Sequence, residues 1–223
     1  MPMSEWWSYH PADFLMFSLH VYERLFVLHN QALWPAQLLA LALGVGLLLA
    51  LWHPRAGPLR LVVPLLATGW LFVAWAFLWQ RYVPINWGIR YVVPLFVLQA
   101  LLLLVLSQWH GGLVLSSQRL TPRALGLGLV AYAVFLHPLT ALLNDHGLAS
   151  AEVVGLTPDP LAIATLGVAA LARSARRGWV LLIIPLLWCL ISAATLQLLE
   201  APGAWVPLLA AVIAVVARLM PHG

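Results

Sequence analysis

Apolar residues run along this chain in long blocks broken by short polar interruptions. Seven blocks are read, at Leu33–Trp52, Leu61–Trp79, Tyr91–Ser107, Ala124–Leu143, Pro160–Ala172, Trp179–Leu199 and Ala204–Ala217. A helix crosses a bilayer with about 20 predominantly apolar residues, and all but the fifth and seventh blocks approach that length. The fifth reads either as a crossing or as a re-entrant segment. Its ends carry opposite charge, with Asp145, Glu152 and Asp159 before it and Arg173, Arg176 and Arg177 after it, which favours a crossing. The pattern therefore predicts an all-α, polytopic transmembrane bundle of about seven helices over residues 33–223, with residues 1–32 as a preceding arm.

The arm has a different period. From Pro11 to Gln31, Leu15, Leu19, Tyr22, Phe26 and His29 fall on one stripe, with His20, Glu23 and Arg24 on another side. Such spacing predicts an amphipathic helix. Pro11 suits its first turn and Asp13 the positive end of its dipole. It either lies on the membrane surface or packs over the bundle as a lid.

Charge then orients the chain. It has eleven arginines, seven acids and no lysine. With seven crossings, all seven acids fall in segments on one face and eight of the eleven arginines on the other. Basic segments stay in the cytoplasm, so the N-terminus is expected outside and the C-terminus inside. Seven of the twelve tryptophans, Trp34, Trp52, Trp79, Trp87, Trp109, Trp179 and Trp205, mark block ends, where an indole keeps its N–H among the headgroups. Trp70, Trp75 and Trp188 fall inside blocks and are expected between helices.

Composition agrees. Apolar residues make up 63% and charged residues 8%, with a mean hydropathy of +0.95; a soluble domain carries about 25% charged residues. The bilayer is thus the first partner, a homo-oligomer or another membrane protein the second. Nucleic acid is excluded because the arginines serve topology. Cys189 is the lone cysteine, so no internal disulfide forms. Residues 1–30 contain Glu5, Asp13 and Glu23 and do not read as a secretory signal. No internal repeat is visible.

Ionisable groups at membrane depth default to a functional reading. Arg81 and Arg90 flank the turn holding Asn86 and lie on the acidic face, against the charge rule. They are expected either to hold acids or an anion, or to reach lipid phosphates. His137, Thr140, Asn144 and Asp145 share one helical face, with His146 at its end before Gly147, the expected helix stop. The strip offers hydrogen bonds and an imidazole to a solute, or joins neighbouring helices. Asp159 reads as an N-cap ahead of Pro160, Gly126 and Gly128 read as close-packing points, and Gly167 either lines a crevice with Thr165 or allows close helix contact. No histidine pair has the spacing of a helical metal motif, and Ser192, Thr195 and Cys189 have no base nearby in sequence. Neither a catalytic residue, a metal site nor a cofactor is expected.

Three stretches carry a family likeness: SEWWSYHPADFLMFSLHVYERLFVLHNQALWPAQ at Ser4–Gln37, WAFLWQRYVPINWGIRY at Trp75–Tyr91 and GLTPDPLAIATLG at Gly155–Gly167. Together they resemble a domain-of-unknown-function family of small bacterial integral membrane proteins, over essentially the whole chain. The resemblance implies an inner-membrane location and no established activity. Some members bear permease-like names, and no catalytic pattern carries over. Relatives differ at the residue between the prolines around Asp159, so the likeness gives that carboxylate no universal role. Two functions follow as expectations. One is transport or permeation of a small polar or anionic solute through Arg81, Asn86, Arg90 and the His137–His146 strip. The other is a non-catalytic accessory, assembly or sensory subunit of a membrane complex. A membrane-embedded hydrolase or transferase ranks third.

Overall fold

The computed structural model describes residues 17–53, 56–108 and 120–220, leaving aside the side chains of 56–61 and 107–108. His10, Pro11, Asp13, Leu15 and Trp109 lie outside the described residues. Among those described, the chain is all-helical. In order come α1 (Leu19–Leu33), α2 (Ala36–Trp52), α3 (Ala56–Phe72), α4 (Val93–Gln108), α5 (Leu120–Ala131), α6 (Pro158–Leu171), α7 (Ala175–Leu198) and α8 (Val206–Leu219). Two helices run on in altered windings. The α3 helix widens into a π-helix over Val73–Tyr82, and α5 continues as a π-helix over Tyr132–Leu136 and a tighter 3₁₀ helix over His137–Leu143.

Four segments are long and apolar enough to cross a bilayer: Val62–Tyr82, Trp87–Leu106, Leu120–Leu143 and Ala175–Leu198. The pair α1 and α2 makes a fifth if taken as one span, though it bends by 95° at Trp34–Pro35. With α2, α6 and α8, the apolar helices follow one another in the expected order. This is a polytopic membrane protein.

The fifth block is short for a physical reason. Every residue of α6 from Pro158 to Leu171 is buried, and the helix packs against α5, α7 and α8. Fourteen residues rise about 21 Å, less than the roughly 30 Å hydrocarbon core. A helix sheathed by others meets no headgroups, so its ends need not reach them. Close packing around α6 depends on glycine. A Cβ at Gly167 would lie 2.6 Å from the Gly126 carbonyl oxygen, and one at Gly126 would lie 2.7 Å from Leu171. Gly126 is a packing point as expected, and Gly167 takes the close-contact role. Gly128, expected to pack as well, meets nothing within 4 Å, so its side of α5 is not pressed against another helix.

Aromatic rings fill the centre. The Trp70 and Phe96 rings lie 4.5 Å apart, tilted by 56°, and Phe96 also meets Trp188 edge-to-face at 5.1 Å. The Trp70 indole N–H donates to Thr165 Oγ1 at 2.9 Å, so this buried polar group is satisfied. Trp75 departs from expectation and is 61% exposed. The π-helical winding breaks the α-helical register there and turns its indole outward.

Helix α1 is capped by Ser18, whose Oγ accepts from Val21 N at 3.4 Å. It packs on the Gly147–Ser150 turn and on the Val73–Tyr82 end of α3 and belongs to none of the four single-helix crossings. Its stripe is buried at Tyr22, Phe26 and His29, as the period required. Glu23, expected on the polar side, is buried as well, because α1 is covered on a second flank by the turn that carries Asp145. Two side chains strap it down. His29 Nε2 bonds the Leu156 carbonyl at 2.9 Å, and Asn30 Nδ2 donates to the carbonyls of Ala149 and Ala151 at 3.0 and 2.8 Å.

Candidate functional site

Asp159 is more than a helix start. The N-cap of α6 is Thr157, with Pro158 at the first helical position, so Asp159 sits inside the first turn rather than at its cap. There its carboxylate is 2% exposed and turned toward α7. Trp188 Nε1 donates to Oδ1 at 2.7 Å and Ser192 Oγ donates to Oδ2 at 2.7 Å. Residues four apart share a helix face, so one stripe of α7 serves both oxygens. An indole N–H can only donate. Both oxygens have hydrogen-bond partners, and these two contacts, with the positive end of the α6 dipole, offset part of the cost of burying the carboxylate. Ser192 has no acid near it in sequence and gains one in space.

Two further groups meet Asp159. The connection from Asn144 to Thr157 folds into the bundle instead of standing in solvent, burying Val153, Val154, Leu156 and Thr157. It carries Glu152 inward with it. From the opposite side the 3₁₀ continuation of α5 presents His137, which is 5% exposed. Ligand atoms of His137, Glu152 and Asp159 all lie within 4.8 Å of one another. His137 Nε2 is 3.9 Å from Glu152 Oε1, an ion-pair distance too long for a hydrogen bond. Neither ring nitrogen of His137 has a hydrogen-bond partner among the described residues, nor has Glu152 Oε2. Burial pushes the Glu152 carboxyl well above the usual range, and the Asp159 carboxylate pushes it further in the same direction. The Tyr132 ring closes one side, edge-on to His137 with centroids 5.8 Å apart.

These are two carboxylates and an imidazole in a sheltered place. Among the described residues the ion pair here is made by His137 and not by an arginine. The buried guanidinium of Arg218 bonds the carbonyls of Ala172 and Ser174 at the other end of the bundle. A family model described as a family of unknown function, DUF6064, matches residues 20–222. The chain belongs to that family. The DUF6064 match spans α1 through α8 and includes His137, Glu152 and Asp159. No curated protein and no solved structure matches the chain.

In this DUF6064 chain the residues expected at a solute site are dispersed. Arg90 is exposed and Arg81 half-buried, and neither makes an ion pair among the described residues. Arg81 lies near enough to His29 to disfavour its protonation. Asn86 caps the 3₁₀ turn Trp87–Tyr91, its Oδ1 accepting from Gly88 N at 3.1 Å, and contacts the Tyr82 hydroxyl. Thr140 Oγ1 donates to the His137 carbonyl at 2.6 Å. The helix stops at Leu143, ahead of the expected Gly147, with Asn144 as an extended C-cap. The strip accordingly ends early, and Asp145 is exposed in the turn beyond it. The His146 ring lies 4.9 Å from that of His20 on α1, tilted by 47°, next to Glu23 and Asp145. Of the expected site residues only His137 enters the buried cluster. Glu152 and the pairing of Asp159 with Trp188 and Ser192 were missed. An acid within the apolar stretch Ala149–Leu156 was the available signal, since such a stretch is itself drawn inside.

Proposed function

We propose that the chain is a transport or permeation unit of a bacterial inner membrane that takes up a small cation at the His137–Glu152–Asp159 site. The observation supporting this reading is the charge of the site. Buried carboxylates are costly unless a positive group accompanies them, and among the described residues no arginine pairs with Glu152 or Asp159. A cation arriving from outside the chain supplies the missing charge. The expected anionic solute gives way to a cationic one because Arg81 and Arg90 make no ion pair while the acids converge. The orientation with the acidic end outside follows the positive-inside rule and places the site toward the periplasm.

The test is flux. Proteoliposomes holding the wild type should carry proton or divalent-cation current down an imposed gradient, read by an internal pH-sensitive or metal-sensitive dye. Glu152→Gln should reduce that current at least tenfold while Arg90→Gln leaves it unchanged. Equal flux from wild type, Glu152→Gln and empty liposomes would overturn the proposal.

A further inference from the structure

We infer that the cation held by His137, Glu152 and Asp159 is a divalent transition-metal ion of the zinc class, bound by one imidazole and two carboxylates. The inference rests on the cation reading above and gives that cation a chemical identity. Three features of the site point the same way.

Charge balance is the first. Two carboxylates and a neutral imidazole carry a net charge of −2 once a binding metal has displaced the proton from Glu152. A single proton or alkali ion leaves the buried site with a net negative charge. A divalent ion brings it to neutrality, the one state that low-dielectric surroundings tolerate cheaply. Ligand type is the second. Imidazole nitrogen suits zinc and its neighbours, whereas magnesium and calcium sites are built from oxygen. His137 offers two ring nitrogens with no hydrogen-bond partner among the described residues, at 5% exposure. Support from behind is the third. Metal-binding carboxylates are themselves held by hydrogen bonds from outer groups, and Asp159 has such donors in Trp188 Nε1 and Ser192 Oγ, both at 2.7 Å. Each oxygen keeps a second lone pair for the metal.

Geometry asks for a modest closure. Zinc binds nitrogen and carboxylate oxygen at about 2.0–2.2 Å, so tetrahedral ligands lie roughly 3.5 Å apart. The present spread reaches 4.8 Å. Glu152 stands on the connecting segment rather than within a helix, and its side chain is 19% exposed, which leaves it free to move inward. Three protein ligands leave a fourth position open for water or a second ligand. The histidine pair His20 and His146 is a different place, on the α1 side of the chain, and serves as the control.

The experiment uses the full chain in detergent or nanodiscs, stripped with chelator and titrated with zinc and with cobalt as a coloured substitute. Expected are one zinc per chain by elemental analysis and cobalt d–d bands of low coordination number. Affinity should fall at least tenfold in Glu152→Gln and His137→Ala. Ser192→Ala, which keeps all three ligands and removes only a supporting hydroxyl, should lose about 10-fold, the lower end for supporting groups. His20→Ala should bind as the wild type does. Zinc retained by His137→Ala and Ser192→Ala but lost by His20→Ala would overturn the assignment. No metal bound, with Glu152-dependent proton flux intact, would overturn the metal and leave the cation reading standing. No metal bound and no Glu152-dependent flux would overturn both.

Discussion

Replacing Ser192 with alanine removes one oxygen and tests the charge of Asp159. The Ser192 hydroxyl donates to Oδ2 at 2.7 Å, and both residues are 2% exposed. That separation is ordinary for an O–H···O bond and fits an ionised acceptor as well as a neutral one, so the charge has to be read from energetics. A hydrogen bond to a charged group contributes about 1.5–3 kcal/mol, against about 0.5–1.5 kcal/mol between neutral partners. Water does not replace the lost donor at a buried position, so the upper range applies and a loss of about 2–3 kcal/mol is expected. In an Asp159→Asn background the acceptor is neutral, and the same change should cost about 1 kcal/mol or less. The difference between the two backgrounds is the coupling energy, which a double-mutant cycle isolates. Equilibrium unfolding in mixed micelles, followed by tryptophan fluorescence, measures each of the four proteins. A thiol reagent adds a local reading, since Cys189 is fully buried one turn before Ser192 on α7 and should react faster if that contact loosens. Equal losses in both backgrounds would refute an ionised Asp159 and remove the charge argument on which the site is built.

Three further outcomes follow from the packing. Gly167→Ala places a methyl group 2.6 Å from the Gly126 carbonyl oxygen and 2.7 Å from Val130 Cγ2; forcing α5 and α6 apart costs about 1–3 kcal/mol, more than the roughly 1 kcal/mol that alanine gains in helix propensity. Gly128→Ala, which meets nothing within 4 Å, should be neutral or slightly stabilising, and thermal unfolding that ranks the two variants the other way would contradict the α5–α6 contact. His29 should make α1 acid-labile: burial lowers its pKa from 6.5 to about 4, so the neutral ring is the folded form. Its contribution is complete above the unfolded value of 6.5 and is lost as pH falls toward about 4, up to about 3 kcal/mol in all. Hydrogen exchange of α1 amides, corrected for intrinsic rates, should accelerate through that window in the wild type and not in His29→Gln; a flat profile in the wild type would show that the ring is already charged or exposed. Thr165→Val leaves the Trp70 indole N–H without its acceptor at 2.9 Å and should destabilise by about 1–3 kcal/mol, which unchanged unfolding would contradict.

The helices were legible because lipid imposes a one-dimensional rule. A crossing must be apolar for its whole length whatever its neighbours are, so blocks such as Trp179–Leu199 announce α7, observed at Ala175–Leu198. Gly126 was legible as a contact point because small size is meaningful in a helix, but the same reading failed at Gly128, which meets nothing within 4 Å, since size alone does not say which face is packed. The site was not, since it gathers residues from three parts of the chain. His137 comes from the tightened end of α5, Glu152 from an inward-folded connection and Asp159 from the first turn of α6. The assumed α-helical face through His137, Thr140, Asn144 and Asp145 failed beyond Leu143 because the winding changes and the helix ends there. Asp159 beside two prolines carried a sufficient local explanation as a cap. Only the position of α7 reveals that Trp188 and Ser192 stand behind it.

The most direct measurement is an anomalous-scattering map at the zinc edge, from crystals of the full chain equilibrated with zinc. A single strong peak is expected within about 2.2 Å of a His137 ring nitrogen and of one oxygen each from Glu152 and Asp159. A peak at His20 and His146, with the three buried groups still spread over 4.8 Å, would contradict it.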